Sequence, residues 1–459
     1  MTVEAISSRE ESPSFRQIFA FSAPLVLTLL TTALHSMIDT LFIARLGSAP
    51  LAAVPFAAAV YIVGWILPMG LMRNAIAFIG RAQGAGRLQE IGFILAHYRY
   101  LALLALPVLL VFAQTWPVFS ALGELNDEVS RLGKTYLDWR AWDAAFSLLF
   151  VLYGSYYHAL GNARTPLKAA LVTLAVNVVL DYALIFGHFG FPAMGVAGSA
   201  LATVIAQASG AAILVTLAHT ESRADRPLPW LIRIDAALFK RILRVGLPQG
   251  LGDCAELCAW VGFLAIVGRL GETALAASNI GIMVTHLLFL PGVALGTAAA
   301  SYMGRLLGAG QPDAASHTVR RILILAVGYM SLLGLPLWFT GEGIARAFTS
   351  DDEVIRQAAL MFKIMALYQA FDGAGIVLRL ALAGAGDTRI PTLLLAGCAL
   401  GVMFPLSHSL AQWTATPLTG AWLGAFGYIA VLAGLMFSRF RNGRWTQMKT
   451  LPDRPVLDG

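Results

Sequence analysis

Apolar residues run through this chain in long blocks separated by short polar stretches. A block of about 20 such residues suffices to carry a helix across the roughly 30 Å hydrocarbon core of a bilayer. Twelve blocks of that kind stand at 18–44, 50–80, 92–118, 130–158, 166–187, 194–218, 240–268, 273–304, 318–341, 355–383, 390–411 and 416–438. The pattern also repeats. The stretch from Pro24 to Gly86 returns at Pro248 to Gly310, an offset of 248 − 24 = 224. Arg45-Leu46-Gly47 matches Arg269-Leu270-Gly271, Leu51-Ala52-Ala53 matches Leu275-Ala276-Ala277, Gly80-Arg81 matches Gly304-Arg305, and Gly84-Ala85-Gly86 matches Gly308-Ala309-Gly310. Gly161, Arg164 and Pro166 return as Gly386, Arg389 and Pro391 at an offset of 225. Six blocks fall in each copy, and a long internal repeat in a hydrophobic chain points to a two-lobed transporter. The expected fold is an all-α integral membrane protein with twelve transmembrane helices in two pseudo-symmetric six-helix lobes. Its expected divisions are a cytoplasmic segment 1–17, a first lobe 18–218, a linker 219–239, a second lobe 240–438 and a cytoplasmic tail 439–459.

Composition fits a bilayer: 58% of residues are hydrophobic and 13% charged, against about 25% charged in soluble proteins. The net charge of +6 could suggest nucleic acid, but the basic residues gather in short loops, as orientation in the membrane requires. Arg81, Arg87, Arg99, Arg164, Lys168, the cluster Arg223 to Arg244, Arg305, Arg320, Arg321 and Arg389 mark one side, and Glu124, Asp127, Glu128, Asp351, Asp352 and Glu353 mark the other. By the positive-inside rule both termini are cytoplasmic. Residues 1–17 lack the apolar core and cleavage site of a secretory signal, so the first span is expected to stay attached. The stretch 221–235 reads as the inter-lobe linker about which the lobes would move.

A carboxylate near the bilayer centre costs around 2.5–3.5 kcal/mol on insertion scales, so each one needs a partner, water or a function. Two clusters stand out. Asp39 lies on the first span with His35 one turn earlier, and Asn177 and Asp181 share one face of the fifth. Asp39 and Asp181 each lie six residues from the outer end of their span, so both sit about 9 Å below the outer surface. Two carboxylates sharing a site cannot both ionise cheaply, so this pair is expected to hold a proton or a cation. In the second copy Glu256 lies on the seventh span with Asp253 on the same face, and Asp372 lies on the tenth. Such oxygen ligands suit a hard cation or a proton. Asp143 is an auxiliary candidate with Arg140 nearby as a partner. Arg73 and Arg379 fall in the cytoplasmic halves of the second and tenth spans, placed to snorkel or pair, with contact to an anionic substrate as the alternative.

Other motifs carry less. Cys254 and Cys258 stand at i,i+4 with no further Cys or His near enough in sequence to complete a metal site. The Gly-Ala-Gly triplets follow no strand and lack the Gly-Lys-Ser/Thr of a phosphate loop. Nothing signals ATP hydrolysis, so energy comes from an ion gradient or from outside the chain. Prolines stand inside several spans, and Pro24 and Pro248 form the symmetric pair.

Asp39-Thr-Leu-Phe-Ile-Ala-Arg-Leu-Gly47, Gln83-Gly-Ala-Gly86, Asn177-Val-Val-Leu-Asp-Tyr-Ala-Leu-Ile185, Gly246-Leu-Pro248 with Glu256, and Leu382-Ala-Gly-Ala-Gly-Asp-Thr-Arg-Ile-Pro391 together resemble the multidrug and toxic compound extrusion (MATE) family. The resemblance covers about residues 15–440. It implies a V-shaped pair of six-helix lobes that expels cationic, amphipathic compounds in exchange for H⁺ or Na⁺ by alternating access. Asp39, Asn177 and Asp181 match the family's site in the first lobe, and Glu256 and Asp372 its site in the second. Where some sodium-coupled relatives carry a tyrosine on the eighth span this chain has Phe289, one hydroxyl fewer.

The expected protein is an antiporter and not an enzyme, a monomer in a bacterial cytoplasmic membrane. It would need no cofactor beyond the coupling ion and bind no metal other than transported Na⁺. Its partners would be small organic cations and membrane lipids. H⁺ coupling through Asp39 and Asp181 is expected, with Glu256 and Asp372 as the alternative. A flippase for lipid-linked oligosaccharide or another lipid precursor is the competing function, and it would require a cationic cavity. A membrane-embedded prenyl transferase would require an aspartate-rich motif facing a cavity, whereas Asp351-Asp352 fall in an outer loop.

Overall fold

The computed structural model describes residues 12–448, 450 and 451; residues 1–11 of the expected first segment and residues 449 and 452–459 of the expected tail lie outside the described residues. Among the described residues there is no β-strand. The helices of the first half are α1 (Phe15–Ala44), α2 (Ser48–Arg73), α3 (Ala75–Gly84), α4 (Leu88–Ala113), α5 (Trp116–Leu122), α6 (Asp127–Ala141), α7 (Asp143–Ala159), α8 (Arg164–Phe186) and α9 (Val196–Thr220). Those of the second are α10 (Ala236–Gly268), α11 (Glu272–Gly308), α12 (Pro312–Arg346), α13 (Asp352–Ala385), α14 (Arg389–Cys398), α15 (Phe404–Trp413) and α16 (Pro417–Arg441). Eleven helical segments among the described residues are long and apolar enough to cross a membrane. The fourth expected span is the exception, because it breaks at Trp142 into α6 of 15 residues and α7 of 17. With that pair the twelve expected crossings are all present, and the protein is a multi-pass integral membrane protein.

Local chemistry sets the helix ends. Gly47 and Gly271 precede α2 and α11 at φ +113° and +114°, a backbone region that side chains disfavour, and they are the same position of the repeat. Asn126 caps α6 by accepting the Val129 N–H at 2.9 Å. Asp351 caps α13 by accepting from the Glu353 and Val354 amides. The Asp351-Asp352 pair is therefore a helix start with no diphosphate-binding arrangement. A π-helical turn, Ala399–Met403, joins α14 to α15. Pro405 sits just beyond it, and a proline cannot donate into the regular ladder of the preceding turn.

The helices group into two compact units. One contains the segment up to Val26 with Leu251–Thr450, and the other contains Leu27–Gly250. The division falls inside α1 and inside α10, and the two crossing points are equivalent positions, since 26 + 224 = 250. In the first unit Ile18 is fully buried in a core with Met303, Leu382 and Met436, Phe21 meets Tyr302 edge-on at 5.7 Å, and Arg321 donates to the carbonyls of Ser12 and Pro13 at 2.7 and 2.8 Å. In the second, the start of α10 packs on α2: the Asn74 amide donates to Gln249 at 2.9 Å, and a Cβ added at Gly250 would lie 2.4 Å from the Leu67 carbonyl oxygen.

The stretch 221–235 is fastened to the unit Leu27–Gly250. Arg99 donates to the backbone carbonyls of Pro229, at 2.7 Å, and Trp230. The Tyr100 hydroxyl donates to the Ile232 carbonyl at 3.2 Å and accepts the Ile232 N–H at 3.0 Å. His97 Nε2 accepts the Asp235 N–H at 3.0 Å, and Trp230 stacks on His219 with centroids 3.9 Å apart. Arg99 is thus a buried residue of α4 that anchors the linker backbone, where the loop-charge pattern places it as an exposed orientation signal. The linker is held along its length by side chains of one unit.

Small residues let the helices approach closely. A Cβ at Gly384 of α13 would lie 2.4 Å from the Ala300 carbonyl oxygen and 2.5 Å from its Cα on α11, whereas one at Gly397 would meet nothing within 4 Å. Gly384→Ala is expected to destabilise the protein by about 1–3 kcal/mol through overpacking. Gly397→Ala is expected to be neutral or to stabilise by up to about 1 kcal/mol by removing backbone freedom from the unfolded chain. Thermal unfolding of the two variants in detergent measures the contrast, and equal effects would contradict it.

Candidate functional site

Both carboxylate clusters form, each within one unit. In the unit Leu27–Gly250, α1 and α8 bring His35, Asp39, Asn177 and Asp181 together. Asn177 and Asp181 are fully buried, while the side chains of His35 and Asp39 keep 11% and 18% exposure. His35 Nε2 lies 3.5 Å from Asp39 Oδ2. The Asn177 amide, turned so that its nitrogen faces the carboxylates, donates to Asp39 Oδ1 at 2.9 Å and to Asp181 Oδ2 at 3.2 Å. One amide thus clamps both acids. Asp181 Oδ1 is buried with no hydrogen-bond partner. Among the described residues no lysine or arginine pairs with Asp39 or Asp181. The arrangement provides two carboxylates and an amide without a counter-charge, which is what a proton or a small cation requires.

Asp143 belongs to a neighbouring network. Its carboxylate, fully buried, pairs with Arg140 and accepts from the Tyr61 hydroxyl at 3.0 Å. The Trp65 indole donates to Ser147 at 3.0 Å, and the Arg140 guanidinium lies over the Tyr61 ring, 4.6 Å from its centroid. Tyr136 is buried on the same helix, one turn before Arg140. These partners escape a search for isolated charges, yet the sequence holds a signal for them: Tyr136, Arg140, Asp143 and Ser147 follow the 4-3-4 spacing of one helix face.

In the other unit Asp253 and Glu256 of α10 face Arg379 of α13. Arg379 Nη1 lies 2.9 Å from Asp253 Oδ1, and Nη2 lies 3.2 Å from Glu256 Oε2. Glu256, Asp372 and Arg379 line a small cavity of about 40 Å³ together with Trp260, Tyr428 and an apolar wall that includes Ile429. Among the described residues the ion pairs of Arg379 go to Asp253 and Glu256, and Asp372 has none. Arg379 is therefore paired, one of the readings the sequence allowed, and it lines the cavity with Glu256 and Asp372. Cys254 and Cys258 are free thiols.

The two clusters are unrelated by the repeat. At the offset of 224, Asp253 and Glu256 correspond to Leu29 and Thr32, and at 225 Asp372 and Arg379 correspond to Ser147 and Gly154. The backbone is duplicated and the charges are not.

Comparison with known proteins agrees over the whole length. A model of the MatE family matches residues 24–183 and 251–408, more than half of the chain, and a model described as Lipid II flippase MurJ matches residues 140–244. Multidrug resistance protein NorM of Burkholderia vietnamiensis is 31% identical over 431 residues, covering 91% of this chain and 92% of the relative. Probable multidrug resistance protein NorM of Thermotoga maritima is 27% identical over 458 residues, covering 98% and 97%. The fold is that of the Vibrio cholerae MATE transporter VcmN in its bent form, with a TM-score of 0.85, 21% identity and coverage of 94% of this chain and 96% of that one. It is also that of a MOP superfamily transporter from Pyrococcus furiosus described by a reversed polarity of its binding pocket, with a TM-score of 0.88, 18% identity and coverage of 98% and 100%. A family match in both copies of the repeat, together with a relative 31% identical over 91% of the chain, establishes that the chain belongs to the multidrug and toxic compound extrusion (MATE) family.

Proposed function

We propose that this protein exports cationic, amphipathic organic compounds in exchange for protons, with Asp39, Asn177 and Asp181 as the coupling site. The observation that carries the reading is Asp181: fully buried, one oxygen unpartnered, clamped beside Asp39 by a single amide. Arg140 of the neighbouring network is engaged by Asp143. A proton bound there neutralises the pair, and its loss leaves negative charge that a cationic substrate can balance. Antiport then follows if proton and substrate favour different conformations, since a ligand shifts a conformational equilibrium only by its differential affinity.

The multidrug-resistance names of the relatives support organic cations as substrates. Orientation with both termini in the cytoplasm, placement in a bacterial inner membrane and a monomeric state complete the reading. The MurJ match over residues 140–244 raises the lipid-precursor flippase. That activity needs surplus positive charge for a pyrophosphate, whereas acids outnumber arginines around both clusters, and Arg140 and Arg379 are already paired.

Cells expressing the protein are expected to extrude ethidium and tolerate several lipophilic cations. Unchanged efflux of chemically distinct dyes, with the protein confirmed in the membrane, would argue against drug export, and accumulation of lipid-linked intermediates assayed in parallel would favour the flippase.

In proteoliposomes, Asp39→Asn and Asp181→Asn are expected to lower efflux driven by ΔpH alone by at least about tenfold, the scale of losing one essential coupling group. Glu256→Gln and Asp372→Asn should retain dependence on ΔpH. Full ΔpH-driven transport by the two α1 and α8 variants would move the coupling site to the second cluster.

A further inference from the structure

The cavity lined by Glu256, Asp372 and Tyr428 has the oxygen ligands that a hard monovalent cation takes, yet it already contains a cation of the protein's own. Arg379 reaches into it from α13, two helical turns beyond Asp372. Its side chain is 15% exposed, with Nη2 3.2 Å from Glu256 and Nη1 2.9 Å from Asp253. Asp253 stands outside the cavity lining and is 6% exposed. It holds the guanidinium from behind while the second nitrogen meets Glu256 at the wall.

We propose that Arg379 is the resident cation of this carboxylate cluster and that it excludes Na⁺ from Glu256 and Asp372, with Asp253 as the positioning residue that keeps it there. Three features support this. A guanidinium stays charged at all relevant pH values and its planar fork suits two carboxylates at once. A tethered ligand acts at an effective concentration set by geometry, independent of the solution. A sodium ion must both shed water and displace a group that cannot diffuse away. Occupation of Glu256 leaves Asp372 as the one carboxylate of the lining without an ion pair among the described residues. The inference goes beyond the choice of coupling site made above, and because its readout is sodium binding it stands or falls separately from proton-driven transport.

The test is equilibrium binding of radioactive sodium to the full-length protein purified in detergent. The double variant Asp253→Asn/Arg379→Gln removes one negative and one positive charge, so the net charge of the cluster is unchanged while Glu256 loses its partner. It is expected to bind sodium at least about tenfold more tightly than wild type, and the gain should vanish when Glu256→Gln is added. Arg379→Lys, which keeps the charge but not the fork, should gain less than the double variant. Saturable sodium binding by wild type that Glu256→Gln abolishes would overturn the proposal without recourse to any Arg379 variant. So would a double variant with cooperative thermal unfolding that binds no more sodium than wild type, or a lysine variant that gains as much as the double one. If the double variant fails to fold, Arg379→Gln alone replaces it with the same expected gain and the same overturning result.

Discussion

Every backbone amide at membrane depth has to find its partner within the protein, and unbroken helices are the cheapest way to satisfy that constraint. The places where this chain breaks its helices are therefore informative. α2 passes to α3 at Asn74, whose side chain bonds Gln249. α6 passes to α7 at Trp142, with Arg140 and Asp143 paired across the gap. A π-helical turn interrupts the eleventh crossing at Ala399–Met403. At the first two breaks, polar side chains gather where the regular ladder is interrupted. The Trp142 break in particular presents Tyr136, Arg140, Asp143 and Ser147 along one continuous face despite the change of helix.

Charge is the second constraint. Each unit sets buried acids against an arginine, Arg140 in one and Arg379 in the other, and the two solve the same problem differently. In one, Arg140 is consumed by Asp143 and the Tyr61 ring, which leaves Asp39 and Asp181 to share an amide and whatever positive charge arrives from outside. In the other, Arg379 is spent on Asp253 and Glu256 and the cavity beside it is partly neutralised from within. A duplicated scaffold thus carries one pair of acids joined by an amide and one set of acids gathered on an arginine.

Much of this was legible in the sequence. Twelve apolar blocks and the 224-residue offset announced the crossings and the repeat, and the rule that a buried acid needs a reason picked out Asp39, Asp181, Glu256 and Asp372 before any contact was known. Partners were harder to read. Whether Arg379 faced lipid headgroups or Glu256 depends on the rotation of α13 against α10, which apolar periodicity does not fix in a helix buried on most sides. The true role of Arg99 was hidden for a related reason, because a basic residue near a helix end counts toward orientation until the backbone it binds is known. The division between units was also invisible, since no change of composition marks the middle of α1 or of α10.

That division bears on how the chain is made. The first turns of α1 are completed by residues beyond Leu251, and the unit Leu27–Gly250 is completed by the first turns of α10. A ribosome that has delivered one copy of the repeat has therefore delivered neither unit in full. Ile18 and Phe21 wait for α11 and α13, and the surface around Leu67 and Asn74 waits for Gly250 and Gln249. A gene cut between the repeats would yield two fragments, each carrying a piece of the other's interior, so the two halves are bound to assemble as one event of biogenesis even though each looks, in sequence, like a protein of its own.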